Sequence, residues 1–192
     1  MSKRTRGGTG THDKTGGNGS NMILPVKTLV LPGDPLELYP IPPDEDFEGL
    51  EFFDAPDLER IAKALIEKYD DKFYFLNDAR IRYYWKLKGG VSGNRAVFGK
   101  CVKPSGLLRH VTQDDYVIWA AADNCREAQY TRFHTEALTF HELRHTALAE
   151  KEKLSTQGHE FEGFVDEFKI YGAWRPVMEQ IVGVARLLPF EE

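Results

Sequence analysis

The pentapeptide His141-Glu142-Leu143-Arg144-His145 constrains this chain more than any other feature. Around it stand Ala137, Leu138, Phe140, Ala147 and Leu148, so the segment reads as a helix that is apolar over most of its circumference and therefore buried. Two histidines four residues apart are just over one helical turn from each other. Their imidazoles project from one face and can ligate a single ion, while Glu142, one step round, can reach a water on that ion. The bland alternative is an exposed helix that happens to carry these residues. The apolar flanks argue against it, because buried histidines need partners. Zinc is the expected metal: it lowers the pKa of its water toward neutrality, and a neighbouring carboxylate takes the proton. Glu142 is the candidate general base, and His141 and His145 are candidate ligands. Arg144 fits a buried helix only if it reaches solvent or pairs with a carboxylate.

A catalytic zinc normally takes three protein ligands and keeps one position open. The metzincin extension is absent, since Leu148 and Lys151 stand where its Gly and His would be. The next histidine is His159, with Glu160 and Glu162 beside it. A short loop through residues 151–158 can fold it back onto the first helix, so His159 is the expected third ligand and Glu162 its substitute. With Glu162 in the set, the donors become the two histidines and carboxylate of non-haem iron sites. In an ideal helix His159 lies nearly opposite the apolar face of Phe161, Phe164, Val165 and Phe168, so it would bind from the irregular start of that helix. A surface histidine at a helix start is the competing reading. His134, seven residues before His141, either contacts substrate or decorates an early helical turn. Tyr171 either stabilises an oxyanion or completes an apolar face.

Around these residues the pattern indicates α+β. Residues 1–21 are Gly-, Thr-, Ser- and Asn-rich and read as a disordered tail. Residues 22–53 carry prolines at 25, 32, 35, 40, 42 and 43 and read as an extended segment lying across the domain without belonging to its core. Residues 54–192 form the expected domain, a length that suits one core. It opens with a helix from Asp54, as N-cap, to Tyr69, with apolar residues at i, i+3 and i+4 spacing. Ile81, Tyr83, Trp85 and Leu87 then alternate with charged neighbours as a strand with one wet face. A strand over 95–103 is expected to pair with it as a hairpin, and a more central strand spans Tyr116 to Ala122. Helices follow over about 127–150, 158–171 and 176–188, the last with Pro176 in its first turn. A small sheet of three or more strands covered by helices results.

At the histidine motifs the chain resembles the putative phage metallopeptidase family, small zincin-like proteins of bacteriophages and prophages. The likeness covers about residues 55–175 and rests on His141-Glu142-Leu143-Arg144-His145, on His159-Glu160-Phe161-Glu162-Gly163-Phe164, and on Tyr171-Gly172-Ala173-Trp174. Arg144 and Gly163 depart from the family pattern. The resemblance implies a zincin-like fold, a peptidase, and the second-motif histidine, His159, as third ligand. A distant likeness to SprT-type proteases, which act on proteins attached to DNA, gives the basic strands interest. Residues 80–109 hold Arg80, Arg82, Lys86, Lys88, Arg95, Lys100, Lys103 and Arg109 without one Asp or Glu, in a chain of net charge −5. Such a face could follow a phosphate backbone, or could only keep an edge strand soluble.

Two cysteines without CxxC spacing, Cys101 and Cys125, support neither a disulfide framework nor a cysteine-rich zinc finger. Basic residues at the N-terminus are not followed by an apolar run, and no stretch is long and apolar enough to span a bilayer. The expectation is a zinc-dependent metallopeptidase of the cytoplasm, the host's if phage-encoded, acting on a protein or peptide. The rival is a catalytically silent, zinc-stabilised binding protein.

Overall fold

A computed structural model describes residues 29–159 and 164–175 of the chain. The expected tail at 1–21, the helix over 176–188 and Glu162 lie outside the described residues. The first strand, β1 (Phe52–Asp54), runs directly into helix α1 (Pro56–Lys68). Asp54 is therefore a strand residue and not the expected cap; Ala55 holds the N-cap position and Pro56 opens the helix, where its missing N–H costs nothing. Leu58, Ile61, Ala62 and Leu65 form the buried stripe of α1. A single turn, α2 (Asp70–Phe73), leads to β2 (Ile81–Lys86), whose Tyr83 and Trp85 are buried as the alternation predicts.

The expected hairpin with the next strand does not form. A small ribbon, β3 (Val91–Ser92) with β4 (Arg95–Ala96), intervenes, and β5 (Gly99–Val102) pairs antiparallel with β6 (Tyr116–Ala121) instead of with β2. Helix α3 (Gly106–Thr112) connects β5 to β6. The four-stranded mixed sheet has the order β1-β2-β6-β5, with β2 and β6 parallel and β5 at one edge. Central placement explains why β6 is apolar on both faces: Tyr116, Ile118, Trp119, Ala120 and Ala121 are all buried.

The single helix expected over 127–150 is three elements: α4 (Ala122–Glu127), α5 (Arg132–Arg144) and strand β7 (Thr146–Ala149). β7 pairs with β8 (Lys153–Thr156) across a turn in which Lys151 and Glu152 adopt left-handed φ values of 63° and 56°. That hairpin ends α5. Gln157 donates its side-chain amide to the Arg144 carbonyl at 2.7 Å, and the Thr146 hydroxyl donates to the Leu143 carbonyl, so carbonyls a longer helix would have used are taken. The last described helix, α6 (Val165–Tyr171), starts later than the expected residue 158. Helix α1 lies against β2 and α5, and α5 lies against β5, β6 and α6. Phe140 of α5 joins these layers, with Tyr69, Phe73 and Tyr171 at ring distances of 5.4 to 5.6 Å. The Pro-rich segment is irregular from residue 29 to β1 apart from one 3₁₀ turn at Asp44–Phe47, yet it contributes Phe47 to the core.

Candidate metal centre

His141 lies in the last turn of α5, His145 caps its end, and His159 follows β8 in irregular chain. These three histidines, two of them one helical turn apart and the third fourteen residues further on, offer ring nitrogens that all lie within 4.8 Å of one another. His141 Nε2 and His159 Nε2 are 3.0 Å apart. Two nitrogens sharing a tetrahedral zinc at about 2.0–2.1 Å would sit roughly 3.3 Å apart, so the cluster needs only small adjustment to close on an ion. The other nitrogens of the α5 pair are already engaged. His141 Nδ1 meets Glu167 Oε2 at 2.8 Å, and His145 Nδ1 meets the Gln157 carbonyl at 3.0 Å. Acceptors there hold each Nδ1 protonated and leave each Nε2 with a lone pair that could ligate, the arrangement that fixes a metal-binding imidazole's tautomer.

Glu167, the third residue of α6, is fully buried and serves several donors. Besides His141 it accepts the Phe164 backbone N–H at 3.1 Å and the Trp174 indole N–H, and the Arg175 guanidinium lies 3.6 Å from its Oε1. Burial pushes the Glu167 carboxyl up, but the hydrogen bond and charge of His141 and the charge of Arg175 outweigh it and leave it below the usual range. His141 itself is lowered to about 4 by burial, against the pull of Glu167, so it is neutral and ready to ligate at pH 7. Burial lowers His145 as well.

Glu142 is 4% exposed, and its Oε2 has no hydrogen-bond partner among the described residues. Burial pushes its carboxyl up to about 8; Arg175, a hydrogen bond from the Cys101 backbone and Lys100 act in the opposite sense. Space for it is made by a glycine. A Cβ at Gly99 of β5 would come within 2.7 Å of Glu142 Oε1, so the helix can press this carboxylate against the edge strand only where no side chain intervenes. A cleft of about 280 Å³ opens here, walled by Val97 to Cys101 on one side and by Leu138, His141, Glu142, His145, His159 and Arg175 on the other. Cys101 adds no ligand: burial, then the nearby Glu142 charge, pushes its thiol up. An orphaned buried carboxylate oxygen beside three converging imidazoles is the donor set a divalent ion would satisfy.

Other candidates resolve differently. Arg144 pairs with Asp166 at 3.8 Å and lies over the Phe164 ring, which answers the carboxylate it requires. His134 bonds Thr131 at 2.9 Å and sits against Tyr130, so it secures the start of α5. The Tyr171 hydroxyl is buried on Glu136 at 3.1 Å, which rules out the oxyanion role. The basic strands give nucleic-acid contact no support. Arg82 pairs with Asp114, Lys86 with Glu51, Lys88 with Asp44 and Arg109 with Asp115, at 2.7 to 3.2 Å, so carboxylates from other elements offset four of the eight basic residues that strand sequence alone suggested as a stripe. Sequence reasoning missed Gly99, Gln157, Glu167 and Arg175, and read Lys100 only as part of the basic strands. Gln157, Glu167 and Arg175 stood near the His159 and Tyr171–Trp174 motifs, and nothing marked the glycine. Among the described residues no helix is long and apolar enough to cross a membrane.

Compared with known protein families, the chain matches over residues 50–185 the family described as putative phage metallopeptidase. No curated protein and no solved structure matches it.

Proposed function

The chain belongs to that family, and on this premise we propose that it is a zinc-dependent metallopeptidase with a zincin-like site, hydrolysing peptide bonds of a protein substrate in the cytoplasm of the phage's host. The observation that carries the reading is the convergence of His141, His145 and His159 beside the buried, half-partnered carboxylate of Glu142. His141, His145 and His159 would hold the ion through ring nitrogens, with Glu167 and the Gln157 carbonyl orienting the first two. A divalent ion held there supplies Lewis acidity toward a carbonyl and a water molecule.

The chain's own residues do the rest. Glu142 Oε2 accepts a proton from the attacking water and passes it to the departing amine, the acid–base task for which its position in the cleft suits it. Packing of Glu142 against Gly99 limits its rotation and keeps bulk water from the carboxylate. The open edge of β5 runs along the same cleft, so an extended peptide can lie beside it and pair main chain with main chain.

Elemental analysis of the purified full-length chain tests the reading. About one zinc per chain is expected, lost in His141→Ala and in His159→Ala. Glu142→Gln is expected to keep the metal and to lose turnover by a factor on the order of 10² or more. A zinc-stabilised binding protein would keep every activity in that variant. Metal-free native protein would overturn the proposal.

A further inference from the structure

The cleft has a charge pattern that hydrolysis itself does not use. Among the described residues its lining holds two basic side chains, Lys100 of β5 and Arg175 beyond α6, and one carboxylate, Glu142. A divalent ion adds further positive charge, so the loaded cleft is cationic in a chain whose net charge is −5. Positive charge gathered in a concave, partly dry site draws and holds anions more strongly than the same charge on an open surface.

Arg175 is built into place. Its guanidinium lies over the Trp174 ring, 4.8 Å from the centroid, and 3.6 Å from Glu167 Oε1, with a fifth of its side chain exposed. Glu167 orients it while also serving His141, Phe164 and Trp174. Lys100, next to Gly99 on the edge strand, also lines the cleft, and its charge, like that of Arg175, reaches Glu142. A guanidinium presents a planar fork that matches a carboxylate, and an ammonium adds a mobile point charge.

Resting on the metallopeptidase reading, we propose that Arg175 and Lys100 form a carboxylate-recognising subsite, so that the cleft prefers peptides carrying a carboxylate within about one residue of the scissile bond. That carboxylate is either the end of a chain or an Asp or Glu side chain; the chemistry recognised is the same.

The test is calorimetric binding of short synthetic peptides to the zinc-loaded full-length Glu142→Gln protein, which separates recognition from turnover. One peptide carries a central Asp and an amidated end, one a neutral sequence with a free terminal carboxylate, and one a neutral sequence amidated throughout. At least one carboxylate peptide is expected to bind about tenfold tighter than the neutral one, the scale of a charge-assisted hydrogen bond. Which peptide gains identifies the source. The preference is expected to fall to about twofold in Lys100→Gln and Arg175→Gln, with Arg175→Lys intermediate. Lys100 is exposed, so its variant stays informative if the Arg175 change disturbs Glu167. Equal binding of all three peptides, or a preference untouched by both cation variants, overturns the subsite. Selective binding without any cleavage by the native protein would sink the peptidase and leave the subsite standing; cleavage of acidic and neutral peptides at equal kcat/KM would do the reverse.

Discussion

A carboxyl buried with one oxygen unpartnered holds its proton tightly, and Glu142 is pushed from 4.5 up to about 8 for that reason. Between those pH values the folded, metal-free chain keeps a proton that the unfolded chain has released. Its stability from this group is therefore full below pH 4.5 and is lost as the pH rises through 8. Metal-free Glu142→Gln is expected to be more stable than the native chain at pH 9 by roughly 2–4 kcal/mol, with little difference at pH 4.5, in urea unfolding at both values. Equal stabilities at pH 9 would mean that the carboxylate is not desolvated. Gly99 carries a second test. Alanine there puts a methyl 2.7 Å from Glu142 Oε1, so the carboxylate must turn away. Gly99→Ala is expected to retain zinc while turnover drops by a factor on the order of 10², the scale of an ångström's misplacement; unchanged turnover would show that Glu142 has room to spare. The α5 histidines and Glu142 were legible in the sequence because one helical turn relates them. Glu167 was not, since it reaches His141 from 26 residues away through the fold, and Gly99 was not, since its contribution is the absence of a side chain.

At the scale of elements, the β7–β8 hairpin connects two of the proposed ligands. His145 precedes it and His159 follows it, and it is pinned to the central sheet by the Tyr116 hydroxyl, which donates to the Ser155 carbonyl at 2.6 Å and lies 3.3 Å from the Ala147 carbonyl. Lys103 adds a bond to the Leu154 carbonyl. Tyr116→Phe keeps the ring in the core and removes only the hydroxyl and its bonds to these two partly buried carbonyls. It is expected to cost about 1–2 kcal/mol of stability and to weaken zinc binding severalfold, measured by competition with a chelator. Full zinc affinity in the variant would show that the hairpin holds His159 without this anchor. The same hairpin is where periodicity misled. Ala147 and Leu148 continue the apolar pattern of α5, yet the Gln157 and Thr146 bonds to its last carbonyls turn the chain into a strand. Alternation identified β2 and a run apolar on both faces identified β6, but neither could assign β5 its partner, because pairing depends on which edge remains open once β1 has taken the other side of β2.

For the whole molecule, the expected division at residue 54 stands as a proposal about the site: every proposed ligand and the base lie beyond it. Stability is distributed differently. Before that boundary, Phe47 is 1% exposed, and the Tyr39 hydroxyl donates to Asp57, which also accepts the Trp85 indole N–H. The Val30 backbone N–H donates to Glu136 of α5, and the Tyr39 and Arg132 backbone N–H groups donate to the Tyr130 and Glu37 carbonyls respectively. The segment thus straps α1, β2 and α5 together on the way to the first strand. Removing a buried phenylalanine alone costs about 3–5 kcal/mol, a large share of the 5–15 kcal/mol that separates a typical folded domain from its unfolded chain. A chain starting at residue 50, where the family match begins, is therefore expected to lose more than half its unfolding free energy in urea relative to one starting at residue 29. Both contain all three histidines, so the shorter chain is expected to regain part of that loss on adding zinc, since an ion bound only by the folded state favours folding. If the shorter chain is as stable as the longer without metal, the strap is an ornament on a domain complete from residue 50. If it is unstable and zinc restores nothing, the three histidines do not form a site that survives without the strap.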